Sequence, residues 1–240
     1  MAERIRVQKA IAHAGLMSRR SAEEAIAAGR VAIDGRTAVL GDRVEVDTQR
    51  VTLDGAPIPL LADTETHLLY KPVGVISTAS DPQGRKTVVD LVDSGVRLYP
   101  VGRLDADSEG LILVSNDGDL TERVTHPRYG ITKRYLAQID GTARASEVRR
   151  LESGVELSDG TARAVRARIV DQQGGRTQVE VIMEEGRNRE VRRMLEAIGY
   201  DTTRLVRTAI GPLTDPNLKP GESRLLSNSE VLVLMKAARI

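Results

Sequence analysis

The apolar run Leu111-Ile112-Leu113-Val114 lies directly behind an acidic stretch, Asp105-Ala106-Asp107-Ser108-Glu109-Gly110, and this junction constrains the fold more than any other segment. A short continuous apolar run bounded by turn residues reads as a buried strand. With Leu98-Tyr99-Pro100-Val101 before the acidic residues and Asn116-Asp117-Gly118 closing the run, the local pattern is strand, turn, strand. Asp105 is then expected on the rim of a sheet. An aspartate in a turn often serves only by accepting backbone hydrogen bonds, but a carboxylate held beside basic residues also suits nucleophilic chemistry. The alternating acids and the glycine resemble the opening of a calcium loop. That reading fails at the twelfth position, which is Asn116 where a bidentate glutamate is needed, and at the strand-like Leu111–Val114 where a loop should continue.

With 240 residues and 40% hydrophobic composition, the chain is long enough for one large or two modest domains. It has no Phe, no Trp and five Tyr, so aliphatic side chains must fill the interior and each tyrosine merits individual attention. It has no Cys, which excludes disulfides, thiolate nucleophiles and cysteine-ligated metal sites. The start is charged and no run approaches the roughly 18 apolar residues of a membrane span, so a cytoplasmic protein without membrane association is expected. The net charge of +1 conceals clustering: Arg4, Arg6, Lys9, Arg19 and Arg20 near the start, acids from Asp42 to Glu65, and basic groups at Arg123–Arg134 and Arg187–Arg193.

Val7, Ala10, Ile11 and Ala14 fall at helical spacing before Gly15, and Ser18 is placed to cap a second helix with Ala22, Ala25 and Ile26 inward. Val31–Ile33, Asp34-Gly35 and Thr37–Val39 read as a hairpin with a type I′ turn. The expected order is helix, helix, hairpin. Arg19 and Arg20 sit in the first turn of the second helix, where positive charge opposes the macrodipole; free amides with two guanidinium groups there suit phosphate. A solvated basic face is the plainer alternative. Asp54-Gly55-Ala56-Pro57-Ile58-Pro59 reads as an extended connector, with a domain boundary near residue 62.

Two resemblances join these observations. Residues 15–35 resemble the small RNA-binding domain first described in a ribosomal protein of the small subunit, the αL motif, which implies RNA-binding roles for Arg4, Lys9, Ser18, Arg19, Arg20 and Arg30. Gly102-Arg103-Leu104-Asp105 with its Asp-x-x-Ser-x-Gly continuation and Asn116-Asp117-Gly118 resemble the signature of RNA pseudouridine synthases of the RsuA/RluB branch. Lys71-Pro72-Val73-Gly74, His126-Pro127-Arg128, Lys133-Arg134-Tyr135, Glu185–Met194 and Ile210-Gly211-Pro212-Leu213 with Gly221-Glu222 match further motifs in the same order. Ser108 stands where the family usually has threonine, and Ser223 where it often has an aromatic.

The resemblance implies isomerisation of a uridine within ribosomal RNA, first of the large subunit, on a base turned out of its stack. Asp105 would attack the sugar or the ring, Arg192 would pin that carboxylate, and Tyr135 would pack on the base. Arg103, Lys71, Lys133, Arg187, Asn188, Arg189 and Arg193 would bind substrate. No atoms are gained or lost, so no cofactor and no metal are expected. Partners would be ribosomal RNA or an assembly intermediate, with the protein a monomer. The implied fold class is α+β: an αL-type RNA-binding domain over 1–62 and a catalytic domain over 63–240 with a central, largely antiparallel mixed sheet flanked by helices. Two other readings stay open: a non-catalytic ribosome-assembly factor on the same scaffold, and a hydrolase pairing Asp105 with Asp107 or Glu109. Tyr135 could equally be a cross-strand packing residue, Arg103 a surface ion pair, and Arg189, Arg192 and Arg193 the basic face of a helix.

Overall fold

The computed structural model describes residues 4–60 and 63–239. These form two compact units, one running up to Glu65 together with Ser94–Leu98 and Asn116–Gly118, the other holding the remainder. The boundary expected near residue 62 lies outside the described residues.

The first unit contains β1 (Arg4–Arg6), α1 (Val7–His13), α2 (Arg19–Ala27), β2 (Val31–Ile33), β3 (Arg36–Thr37), β4 (Arg43–Glu45), β5 (Val51–Leu53) and β6 (Ala56–Pro57). Ser18 caps α2 by accepting the Ser21 amide at 3.1 Å. The inner faces of the helices, Val7, Ala10 and Ile11 with Ala22, Ala25 and Ile26, close on Val31, Ile33, Val44 and Val51. Asp34 and Gly35 both lie at positive φ, as a type I′ turn between β2 and β3 requires. The description as two helices and one hairpin is incomplete. The second strand of that hairpin stops at Thr37, β1 pairs with β4, and four strands run in the order β3-β2-β5-β6. The stretch read as a connector begins as a hairpin: Asp54 and Gly55 repeat the positive-φ pair, and Pro57 ends an edge strand, where its missing N–H costs no ladder bond.

The second unit contains β7 (Thr66–Lys71), β8 (Tyr99–Val101), β9 (Glu109–Ser115), α3 (Gly118–Thr125), β10 (Lys133–Asp140), α4 (Ala145–Ser153), β11 (Val155–Leu157), β12 (Gly160–Ala162), β13 (Arg166–Gln173), β14 (Arg176–Met183), α5 (Glu190–Ala197), β15 (Thr202–Ile210), β16 (Ser223–Leu225) and α6 (Asn228–Ala237). Its sheet runs β13-β14-β10-β15-β9-β7-β16, with β8 also paired to β9. Every pairing is antiparallel except β15 with β9. Two cores result. One packs α4 and α5 on β10, β13, β14 and β15 through residues such as Leu151, Met194, Leu195, Val179 and Val181. The other gathers Leu120 and Val124 of α3 and Leu234 of α6 on Leu68, Leu111 and Leu113.

Strand β9 is buried throughout, and its two edges are used differently. One edge pairs with β7 along its length. The other is divided: Glu109 and Gly110 pair with Val206 and Arg207 of β15, and Leu113–Ser115 pair with β8. The Leu111 carbonyl falls in the gap and accepts instead from Arg207 Nε at 2.6 Å. The sheet therefore splits beside the acidic turn. Among the described residues, no helix is long and apolar enough to cross a membrane.

Candidate active site

The turn between β8 and β9 is held from below by the Lys71–Ser77 segment. Gly102 reverses the chain at φ 79°, Ser77 exchanges hydrogen bonds with Leu104 through its hydroxyl (2.8 and 3.1 Å), and the Gly74 amide donates to the Ala106 carbonyl at 2.7 Å. Lys71 was expected to touch substrate. It is fully buried instead, its Nζ donating to the Ser108 carbonyl at 2.7 Å and the Pro72 carbonyl at 3.0 Å. Burial pushes its ammonium down to about 8, against the pull of Asp107 and Asp105.

The three acids of the turn have different surroundings. Glu109 is buried against Arg204, at 2.5 Å, and accepts from the Tyr70 hydroxyl at 3.3 Å. Asp107 receives both its hydrogen bonds from Arg189 Nη1 (2.9 and 3.0 Å). Burial acts to raise the Asp107 carboxyl, but the Arg189 hydrogen bonds and the charge of Arg192 hold it below the usual carboxylate range. Asp105 is half-buried, and its carboxylate makes no hydrogen bond or ion pair among the described residues. It lines a cleft of ≈ 230 Å³ with Leu104, Ser108, Tyr135, Met183, Val191, Leu205 and the 185–190 loop. With Asp107 and Glu109 each engaged by arginines, Asp105 has no free second carboxylate beside it in the turn to pair with as a hydrolase would.

Arg192 was expected to pin Asp105. Its guanidinium goes one alternate residue further: Nη2 donates to the Asp107 carbonyl at 2.9 Å, Nε lies 3.6 Å from the Asp107 carboxylate, and Nη1 donates to the Thr202 carbonyl at 2.8 Å. The cause is the placement of α5, which sets Arg192 against the backbone that follows Asp105. Its charge still reaches Asp105 through space. Arg187 and Arg193, also expected on substrate, brace the protein. Arg193 makes a two-pronged pair with Asp159 (2.9 and 3.0 Å), and Arg187 bonds Glu190 at 2.9 Å and the Thr161 carbonyl at 2.7 Å, tying the loop to the β11–β12 hairpin. Arg187 also faces the cleft, with Asn188 and Arg189 exposed beside it.

Tyr135 stands on β10 and lines both this cleft and a second one, of ≈ 410 Å³, where the sheet splits. Arg103 borders both, its guanidinium without a partner among the described residues. The second cleft holds Lys133, whose Nζ makes one long bond to the Glu184 carbonyl (3.4 Å) and which burial, and then the charge of Arg207, pushes down to about 8. Arg207 went unnoticed in the sequence. Alternation along β15 places it with Leu205 and Ala209 on the buried side, a charged residue in an inward register, and that was the available signal. In the first unit Arg19 and Arg20 are exposed and unpaired among the described residues, Ser18 is the helix cap, Lys9 is half-buried, Arg4 lies 3.3 Å from Glu45, and Arg30 pairs with Asp54.

Residues 65–197 match the family model for RNA pseudouridylate synthase, and residues 5–51 match that of the S4 domain. The chain belongs to the RNA pseudouridine synthase family. An uncharacterized RNA pseudouridine synthase of Mycobacterium tuberculosis H37Rv is 44% identical, over 97% of this chain and 94% of the relative. The ribosomal large subunit pseudouridine synthase B of Bacillus subtilis is 39% identical, over 94% of this chain and 93% of the relative. A crystal structure of a pseudouridylate synthase superposes with a TM-score of 0.67 at 26% identity, covering 96% of this chain and 99% of that one. The chain is thus an RNA pseudouridine synthase with an N-terminal S4 domain and a mixed sheet flanked by helices.

Proposed function

We propose that this pseudouridine synthase acts on a uridine of large-subunit ribosomal RNA, free or within an assembly intermediate, with Asp105 as the nucleophile toward a base turned out of its stack. The observation that carries the assignment is that Asp105 alone of the three turn acids has an unengaged carboxylate, half-buried and opening into the cleft that Tyr135 shares. The bond from ribose C1′ to ring N1 breaks, a bond from C1′ to C5 forms, the C5 proton leaves and N1 gains one, so the atoms balance without a co-reactant. Asp105 must be ionised whether it attacks C1′ or the ring. Lys71 supports the turn from below through the Ser108 carbonyl, and the Arg189 and Arg192 contacts to Asp107 fix the segment that carries Asp105. Tyr135 would stack on the extruded uracil.

The name of the Bacillus relative supports the large subunit as target. In this reading residues 1–62 bind RNA through Arg19 and Arg20, with Arg4, Lys9 and Arg30 adding charge, and 63–240 carry the chemistry. The protein works in the cytoplasm as a monomer. The test is Asp105→Asn on large-subunit RNA, with pseudouridine read by carbodiimide-dependent reverse-transcription stops. Product formation is expected to fall about 10³-fold or more, with RNA affinity within about twofold. Undiminished product would remove Asp105 from the role, and a wild-type chain that binds this RNA without converting any uridine would favour an assembly factor.

A further inference from the structure

The sheet split leaves more positive charge on its floor and walls than the protein neutralises. Lys133, Arg103, Arg187 and Arg207 line this second cleft, with Glu185 the carboxylate among its lining residues. Glu185 lies 3.3 Å from Arg187, and the nearby Glu184 carboxylate is taken by Arg239 at 2.8 Å. Arg207 is 4% exposed, and its Nη2 has no hydrogen-bond partner among the described residues although Nε and Nη1 serve the Leu111 and Arg103 carbonyls. A buried guanidinium nitrogen left unpaired is costly unless something else completes it. The Lys133 Nζ, next to it, has only its long bond to the Glu184 carbonyl among the described residues. Besides Tyr135, the rest of the lining is mostly apolar or small, including Val101, Val124, Pro127, Gly186 and Ile210.

We infer that the second cleft seats a backbone phosphate of the RNA next to the target nucleotide, received by Lys133 over the buried charge of Arg207. This rests on the function proposed above and extends it to a second subsite. The two clefts share Tyr135 and Arg103, so a ring stacked on Tyr135 in the first would leave its phosphodiester at the mouth of the second. A phosphate supplies the acceptor oxygens that the lysine lacks and a negative charge above the buried guanidinium. The apolar lining suits the sugar face of the same linkage. Lys133 is the direct contact in this account, and Arg207, lying below the surface, is a positioning residue that acts by its charge and its hold on Leu111 and Arg103.

The experiment measures binding of a fluorescein-labelled large-subunit rRNA stem–loop, unmodified or carrying one neutral methylphosphonate at each linkage around the target uridine in turn. The wild-type chain is compared with Lys133→Met and Lys133→Arg, each checked for a cooperative unfolding transition. One linkage is expected to cost the wild type about tenfold when neutralised and Lys133→Met less than about twofold, with Lys133→Arg restoring the penalty and Lys133→Met lowering the salt slope by about one phosphate contact. Arg207→Lys, if it folds, should keep the same sensitive linkage with a smaller penalty. If every linkage costs the same in wild type and Lys133→Met, the proposal is overturned. It is also overturned if inorganic phosphate shifts the Lys133 NMR signal while no linkage depends on Lys133, since the seat would then take a free anion. Binding is read apart from turnover, so a wild type that binds but makes no pseudouridine counts against the activity alone.

Discussion

Under the proposed assignment of Asp105 as nucleophile, Asp107 separates two demands that a single acidic residue could not meet. A nucleophile must keep its oxygens free, whereas the turn that carries it must be fixed by strong, charge-assisted contacts. Here Asp107 takes the Arg189 pair and the Arg192 contacts, and Asp105, two residues earlier, stays open to the cleft. The division predicts a distinct phenotype for Asp107→Asn. The loss of one charge weakens both guanidinium contacts and lets the turn wander, so kcat should fall about 10- to 100-fold through misplacement of the reacting group. RNA affinity should hold or tighten, because Arg189 is released toward the phosphates. Single-turnover rates and anisotropy on the same RNA give the two quantities. An Asp107→Asn loss as complete as that of Asp105→Asn would mean the two acids had been assigned the wrong way round. Sequence could bring Asp105, Tyr135 and the 187–193 arginines into one region but could not tell which arginine meets which acid. That choice depends on the seating of α5 and on the left-handed backbone at Arg189 (φ 49°), neither of which periodicity encodes.

At the level of elements, the site exists because β9 changes neighbours half-way along. Gly110 marks the changeover. A Cβ there would lie 2.3 Å from the Arg207 carbonyl oxygen and 2.6 Å from its nitrogen, and the residue sits at φ 106°. Both the close approach of β15 and the backbone conformation therefore demand glycine. Gly110→Ala is expected to cost about 3 kcal/mol or more in stability, read from the urea midpoint, and to push β15 away with the Arg207 hold on Leu111. A loss below about 0.5 kcal/mol, the range of ordinary surface changes, would show that β9 and β15 can part without consequence. Much of this level was legible beforehand. The apolar run became β9, Tyr99–Val101 became its hairpin partner, and α5 follows the turn with Val191, Met194 and Leu195 inward. The split was not legible, since a parallel contact of two residue pairs between segments almost a hundred residues apart leaves no local pattern. The Asp54-Gly55 hairpin was missed because the two prolines outweighed a turn signal identical to the one recognised at Asp34-Gly35.

For the molecule as a whole, the same arrangement sets stability against activity. Lys71 and Lys133 are both held to about 8 by burial, from an ordinary value of 10.5. Between those limits the unfolded chain binds more protons than the folded one, so stability rises with pH across the window from about 8 toward 10. Tyr70 and Tyr200 limit the gain. Burial and then Glu109 raise the first, a hydrogen bond to Glu147 and then burial raise the second, and these contributions are lost as the unfolded tyrosines ionise above 10. Unfolding free energies from urea titrations at about pH 7.5 and about pH 9.5 should therefore differ by up to about 2 kcal/mol per lysine in favour of the higher pH. Lys133→Met should remove about half of the difference. Over the same interval kcat/KM should fall, because deprotonation of Lys71 withdraws the charge beneath Asp105 and deprotonation of Lys133 weakens the hold on RNA. A fold that grows firmer while its chemistry fades is the expected signature of charges buried for function. A midpoint that drops steadily from pH 7.5 to 9.5 would contradict it, since neither lysine could then be carrying its burial cost in the folded state.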